Sequence, residues 1–210
     1  MTSGNAKDVS GGGTEERLRQ VVIGDLKPIN GSVVLVPYER AWPREFDIES
    51  ARIRIALGPR ALRVEHVGST SVPGMRAKPI IDILLVVPDS SREPDYVPAM
   101  EAVGYVLRIR EPDWKQHRLF KGPDREVNVH VFSEGSDEVG RMIGFRDLLR
   151  SNRSEFELYA ATKARLAARH WKFTQEYADA KSKVVESILA RAQPTRPTPS
   201  TLGKRRTSRR

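Results

Sequence analysis

The chain has 210 residues, about one domain by the usual span of roughly 100–200 residues per domain, and long enough to bury a core. Thirty-six Lys+Arg against 27 Asp+Glu give a formal charge of +9, which points first to nucleic acid; yet seven of the basic residues and no acid fall at or beyond Arg191, so residues 1–190 carry only +2 and nucleic acid is expected only through the basic C-terminal tail. The absence of cysteine excludes a disulfide framework, thiolate-held zinc, iron–sulfur clusters and thiol catalysis, and no run approaches the ~18 apolar residues of a membrane span, so a cytoplasmic protein with no membrane partner is expected.

Residues 1–20 read as a flexible leader, because Met1–Thr14 is small and polar and Ser10-Gly11-Gly12-Gly13 brings no side chains to offset the entropy of ordering. Val33-Val34-Leu35-Val36 is a short β-branched strand candidate stopped by Pro37. From Pro43, a first-turn residue, Phe46, Glu49, Ile53 and Leu57 mark one helical face that Gly58-Pro59 ends. Arg63–Val67 alternates like a strand, and Pro79–Val87 is almost continuously apolar, as in a strand buried on both faces. Tyr96, Met100 and Val103 have helical spacing before Gly104. Three strands are then expected at Tyr105–Ile109, His117–Lys121 and Glu126–Phe132, the last alternating strictly.

After Gly135 the pattern is helical, with about three helices; Ser154 with Glu157 predicts a capping box for one, and Thr174 a cap for the next. Three Pro residues from Pro194 onward, among Thr, Ser and Arg, mark 193–210 as a disordered basic tail. The expected architecture is α+β: mixed strands and helices first, then a C-terminal helical bundle. The domain spans 21–192, with the α/β part reaching to about 134 and the helical part covering 135–192.

Chemistry concentrates in two places. Asp82 interrupts the apolar central strand, where an ionised carboxylate is costly unless a cation or donors compensate it; a strand-end Asp bonded to a neighbouring loop and a metal-binding or catalytic Asp both fit. Gly68-Ser69-Thr70-Ser71 follows a strand and precedes Pro73-Gly74, a turn able to aim backbone N–H groups and three hydroxyls at an anion such as phosphate. The polar face of the last strand carries Glu126, Asn128 and His130, of which Glu126 could bind metal or act as base and His130 could bind phosphate or metal or move a proton. His66 shares the parity of Gly68. Lys78 and Arg76 lie between turn and strand, Arg118 and Lys121 on the middle strand, and Lys181 inside an apolar helical stripe with Tyr177, so that it either snorkels or reaches the cleft together with Lys163 and Arg146.

The run Glu65-His66-Val67-Gly68-Ser69-Thr70-Ser71-Val72-Pro73-Gly74-Met75-Arg76-Ala77-Lys78-Pro79-Ile80-Ile81-Asp82-Ile83 resembles the signature of the GrpB family, placed in the DNA polymerase β-type nucleotidyltransferase superfamily. The likeness runs from about Val33 to Ala192 and includes Tyr38, Trp42-Pro43, His117-Arg118-Leu119-Phe120-Lys121, Val129-His130-Val131-Phe132, Phe145-Arg146-Asp147, Tyr159, Lys163, Tyr177 and Lys181. The resemblance implies a nucleotidyltransferase-like fold, a mixed sheet flanked by helices, in which Gly68-Ser69 matches the Gly-Ser turn and Asp82 the first metal carboxylate. It further implies Mg²⁺ on Asp82 and Glu126, a nucleoside triphosphate, foremost ATP, held by Gly68, Ser69, Thr70, Ser71, Lys78, Arg118, Lys121, Arg146, Lys163 and Lys181, and catalysis by Asp82, Glu126 and His130 on a small-molecule or protein acceptor. Leu84 stands where many members of the superfamily carry a second acid, so a nucleotide-binding accessory or regulatory module with weakened catalysis is the alternative.

Overall fold

Five short, β-branched segments pair into one sheet in a computed structural model that describes residues 10–192. They are β1 (Arg63–Val67), β2 (Ile81–Val87), β3 (Val106–Glu111), β4 (His117–Lys121) and β5 (Val127–Ser133), ordered β1-β2-β5-β4-β3. β2 runs antiparallel to β1 and parallel to β5, and the remaining pairs are antiparallel. The sheet is therefore mixed, as expected.

Because strand side chains alternate, register assigns each residue to a face. Ile81, Ile83, Leu85 and Val87 share the main core with Val127, Val129 and Val131, beneath α2 (Trp42–Leu57) and α3 (Val97–Ala102). Asp82, Leu84 and Val86 lie on the other face beside Asn128, His130 and Phe132. There α4 (Asp137–Ser151) covers one end, with Val139, Met142 and Ile143 on Leu84, Val86 and Phe132. The end at Asp82 opens toward α5 (Arg153–Ala167) and α6 (Thr174–Ala180), which α7 (Ser182–Ala192) braces through Ile188 against Leu149 and Tyr159.

Several expectations are corrected. Val33–Val36 forms no strand: Val36 makes one two-way bridge with Ala77, while Val33 packs on Leu166, Ala167 and Tyr177 and Val34 is 70% exposed. Its alternation serves a helical surface rather than a sheet. The helical part holds four helices, α5 is capped by the Asn152 side chain accepting from the Glu155 N–H, and at α6 the Glu176 carboxylate accepts from the N–H groups of Lys172 and Phe173. Residues 1–9 lie outside the described residues, but within the expected leader Ser10–Val21 forms α1. Good helix formers after Gly13, a Glu15–Arg19 ion pair and an Arg17–Asp179 pair hold it, and Leu18 is buried. The expected basic tail, 193–210, lies outside the described residues. No helix of the described residues is long and apolar enough to cross a membrane.

Candidate functional site

β1 ends at Val67, directly opposite Asp82. The next residue, Gly68, has φ 67, and a Cβ on it would stand 2.8 Å from the Asp82 Cβ, so only glycine lets the turn close over the carboxylate. The turn is tied down from within. Thr70 Oγ1 donates to the Ile80 carbonyl (3.1 Å) and lies 3.0 Å from His66 Nε2; Ser71 Oγ donates to the Gly68 carbonyl (2.6 Å), and the Arg150 guanidinium donates twice to the Ser71 carbonyl. Two of the three hydroxyls expected to face an anion therefore hold backbone instead, and Ser69 is the one left to the cleft. Burial pushes the His66 pKa down to about 4, and its ring stacks on Phe46 on the core side, so it is a neutral support beneath the turn rather than a ligand facing the cleft.

Asp82 Oδ1 accepts from Asn128 Nδ2 (2.8 Å) and lies 3.8 Å from His130 Nε2. Burial works to raise its pKa, but His130, Asn128 and Lys78 outweigh it and hold the group below the usual carboxylate range. His130 Nδ1 is 3.2 Å from His117 Nε2, and His117 Nδ1 is 2.7 Å from Glu111 Oε2, so a line of polar groups runs from Asp82 to the sheet edge. The sequence marked His130 but missed this support, because the ladder register that brings His117 beside His130 is not legible in either strand alone.

Above Asp82 lies a cleft of about 280 Å³ whose walls include Gly68, Ser69, Lys78, Lys163, Tyr177 and Lys181. Lys163, 2% exposed on α5, donates to the Arg76 carbonyl (2.7 Å). Lys181 sits 4.4 Å above the Tyr177 ring, and Lys78 lies 5.9 Å from the same ring. Burial pushes the Lys163 pKa down to about 7 and those of Lys78 and Lys181 down to about 8; repulsion from Lys181 adds to the effect on the other two. The lysine ion pairs of the described residues lie elsewhere, at Lys115–Asp137, Lys121–Glu126 and Lys172–Glu15. Two lining residues each hold one polar atom, Tyr177 Oη and Asn128 Oδ1, buried without a partner among the described residues. Three ammonium groups around one carboxylate are fit for a multiply charged anion.

The fold thus brings Gly68, Ser69, Thr70, Lys78, Asp82, His130, Lys163 and Lys181 together and leaves other expected members out. Arg118 is corrected: it pairs with Val131 in the ladder, which puts it on the core face, where its Nε donates to Glu93. Arg146 is also corrected. Its Nη1 donates to Glu65 (2.7 Å) and the His66 carbonyl, and its Nε to Asp147 (2.7 Å), so it clamps α4 to β1. Lys121 and Glu126 pair with one another at 3.7 Å on the rim, where the Glu126 side chain is 70% exposed. A larger cavity of about 470 Å³ lies outside the α5 wall, but Arg76, the one charged residue lining it, already donates to the Leu35 carbonyl.

The donor set does not make a magnesium site by itself. Among the described residues no three His, Cys, Asp or Glu side chains converge to hold a metal. Leu84 is fully buried in an apolar cluster, and Asp82, the single carboxylate on the cleft floor, is already covered by an amide donor and ringed by lysines.

The GrpB protein family is matched over residues 32–191. A UPF0157 protein of Halalkalibacterium halodurans is 58% identical over 182 residues, 87% of this chain and 93% of the relative. Among solved structures, the conserved protein GrpB from Enterococcus faecalis aligns with a TM-score of 0.65 at 30% identity, over 76% of this chain and 99% of that one. Cid1, an RNA terminal uridylyl transferase, aligns at a TM-score of 0.38 and 11% identity, over 71% of this chain and 46% of that one.

Proposed function

The chain belongs to the GrpB protein family, and from that premise we propose that its cleft binds the triphosphate of a nucleoside triphosphate, ATP foremost, for nucleotidyl transfer to a small-molecule or protein acceptor. The observation that carries this reading is the trio Lys78, Lys163 and Lys181, half-buried to buried around Asp82 with no carboxylate paired to them among the described residues. Three partly desolvated cations call for an anion of comparable charge. In the transfer, an acceptor oxygen bonds to the α-phosphorus as the bond from that phosphorus to the pyrophosphate oxygen breaks. The lysines take up the charge of the departing pyrophosphate, and the acceptor's proton passes to the Asp82–His130 pair.

A second reading, a binding module without turnover, is favoured by one feature: Asp82 is the single carboxylate on the cleft floor, with Leu84 buried and Glu126 out on the rim. Two measurements separate them. ATP in large excess over its Kd raises Tm by several degrees on either reading, since ~100 Kd of ligand adds about 2.7 kcal/mol. Label from ATP carrying α-³²P then moves to a component of a metabolite or protein extract with the wild-type chain and not with Asp82→Asn if the site is catalytic; no transfer by either chain leaves the module. Absence of any ATP-dependent change in Tm overturns both.

A further inference from the structure

Resting on the triphosphate reading, we infer that Lys78, Lys163 and Lys181 take the place of a divalent cation, so that the cleft takes a polyphosphate free of Mg²⁺. The three ammonium groups come from separate parts of the chain: the loop before β2, the middle of α5 and the end of α6. They are lodged rather than free to swing away. Lys163 is fixed to the Arg76 carbonyl, and Lys181 and Lys78 share the Tyr177 ring.

The carboxylate side of the cleft is correspondingly poor. A hard dication needs oxygen ligands, for Mg²⁺ one or two carboxylates open to it beside phosphate oxygens and water. Here the position two residues past Asp82 is an apolar core residue, Glu126 faces solvent beside Lys121, and Asn128 presents its NH₂ to Asp82 rather than its oxygen. An ion seated on Asp82 would also face three like charges across a narrow, partly desolvated space. The same surroundings that repel a dication attract a polyanion.

Inorganic tripolyphosphate titrated into the full chain by calorimetry, once with EDTA and once with excess Mg²⁺, tests this. We expect binding in EDTA at least as tight as in Mg²⁺, and a weakening of tenfold or more in EDTA for Lys163→Met and for the less buried Lys181→Gln, the latter serving if the former does not fold. Binding tenfold or more tighter in Mg²⁺ overturns the inference while leaving the triphosphate reading in place. Lysine variants that fold and bind like wild type also overturn it. No binding in either buffer overturns the triphosphate reading as well.

Discussion

At Gly68 the demand for a missing side chain has two separable causes, a left-handed backbone and the Asp82 side chain lying against it. Gly74 has the first without the second: its φ is 80, and the nearest atom to an added Cβ is Phe156 Cζ at 3.9 Å. Gly74→Ala should therefore lose about 1 kcal/mol, the usual cost of placing alanine in that region. Gly68→Ala should lose ~3 kcal/mol or more, because either the turn or Asp82 must shift as well. Urea unfolding of the two variants measures the difference, and equal losses would remove the close approach as a cause. Asp82 was legible in the sequence because a carboxylate in an apolar strand is conspicuous. The duties of Thr70 and Ser71 were not, since a hydroxyl's partner depends on which carbonyl the turn brings near it.

Between elements, the main charged tie on the sheet's second face is Arg146 of α4 with Glu65 of β1, the arginine side chain 10% exposed and the carboxylate 26%. Removing one member of such a pair strands the other, so Arg146→Ala should cost about 3 kcal/mol by chemical denaturation at pH 7. The pair also has a pH signature. Burial tends to raise the Glu65 pKa, but the Arg146 and Arg63 guanidinium groups overcome it and hold the group below its ordinary value. A lowered folded value means the stabilisation is fully present above the ordinary carboxylate range and is lost as pH falls through the folded one. Arg146→Ala should therefore narrow the gap to wild type as pH drops below about 4; a gap independent of pH would show that Arg146 acts through packing alone. The expectation that Arg146 reaches the cleft fails because a helix face fixes direction only after packing. The same ambiguity made Val33–Val36 resemble a strand, although its apolar residues cover helices.

For the whole molecule, the cleft's charge balance depends on bringing the loop at Lys78, α5, the end of α6 and the sheet to one point. Lys78, Lys163 and Lys181 face Asp82, His130, Tyr159 and Tyr177 there, and burial holds the lysine pKa values at about 7 to 8, below their ordinary value. An anion favours the charged form, so its binding should draw protons in. At pH 8 the calorimetric enthalpy of tripolyphosphate binding should vary with the ionisation enthalpy of the buffer, and affinity should fall as pH rises from 7 to 9. A buffer-independent enthalpy would mean that the lysines are already charged before the anion binds.

The amino-acid sequence by itself determined the mixed sheet with its flanking helices, the turn at Gly68, the carboxylate at Asp82 and the family, because periodicity, glycine placement and a long local signature are properties of neighbouring residues. Only the tertiary structure decided which cations reach that carboxylate. Arg118 and Lys121, three residues apart on one strand, must take opposite faces by alternation, but only ladder register decides that Arg118 has the core face and Lys121 the rim. Lys163 and Lys181 converge on a residue some eighty to a hundred positions earlier because α5 and α6 fold back over the open end of the sheet. Register and helix docking are set by the burial of many side chains at once, and no local spacing encodes them.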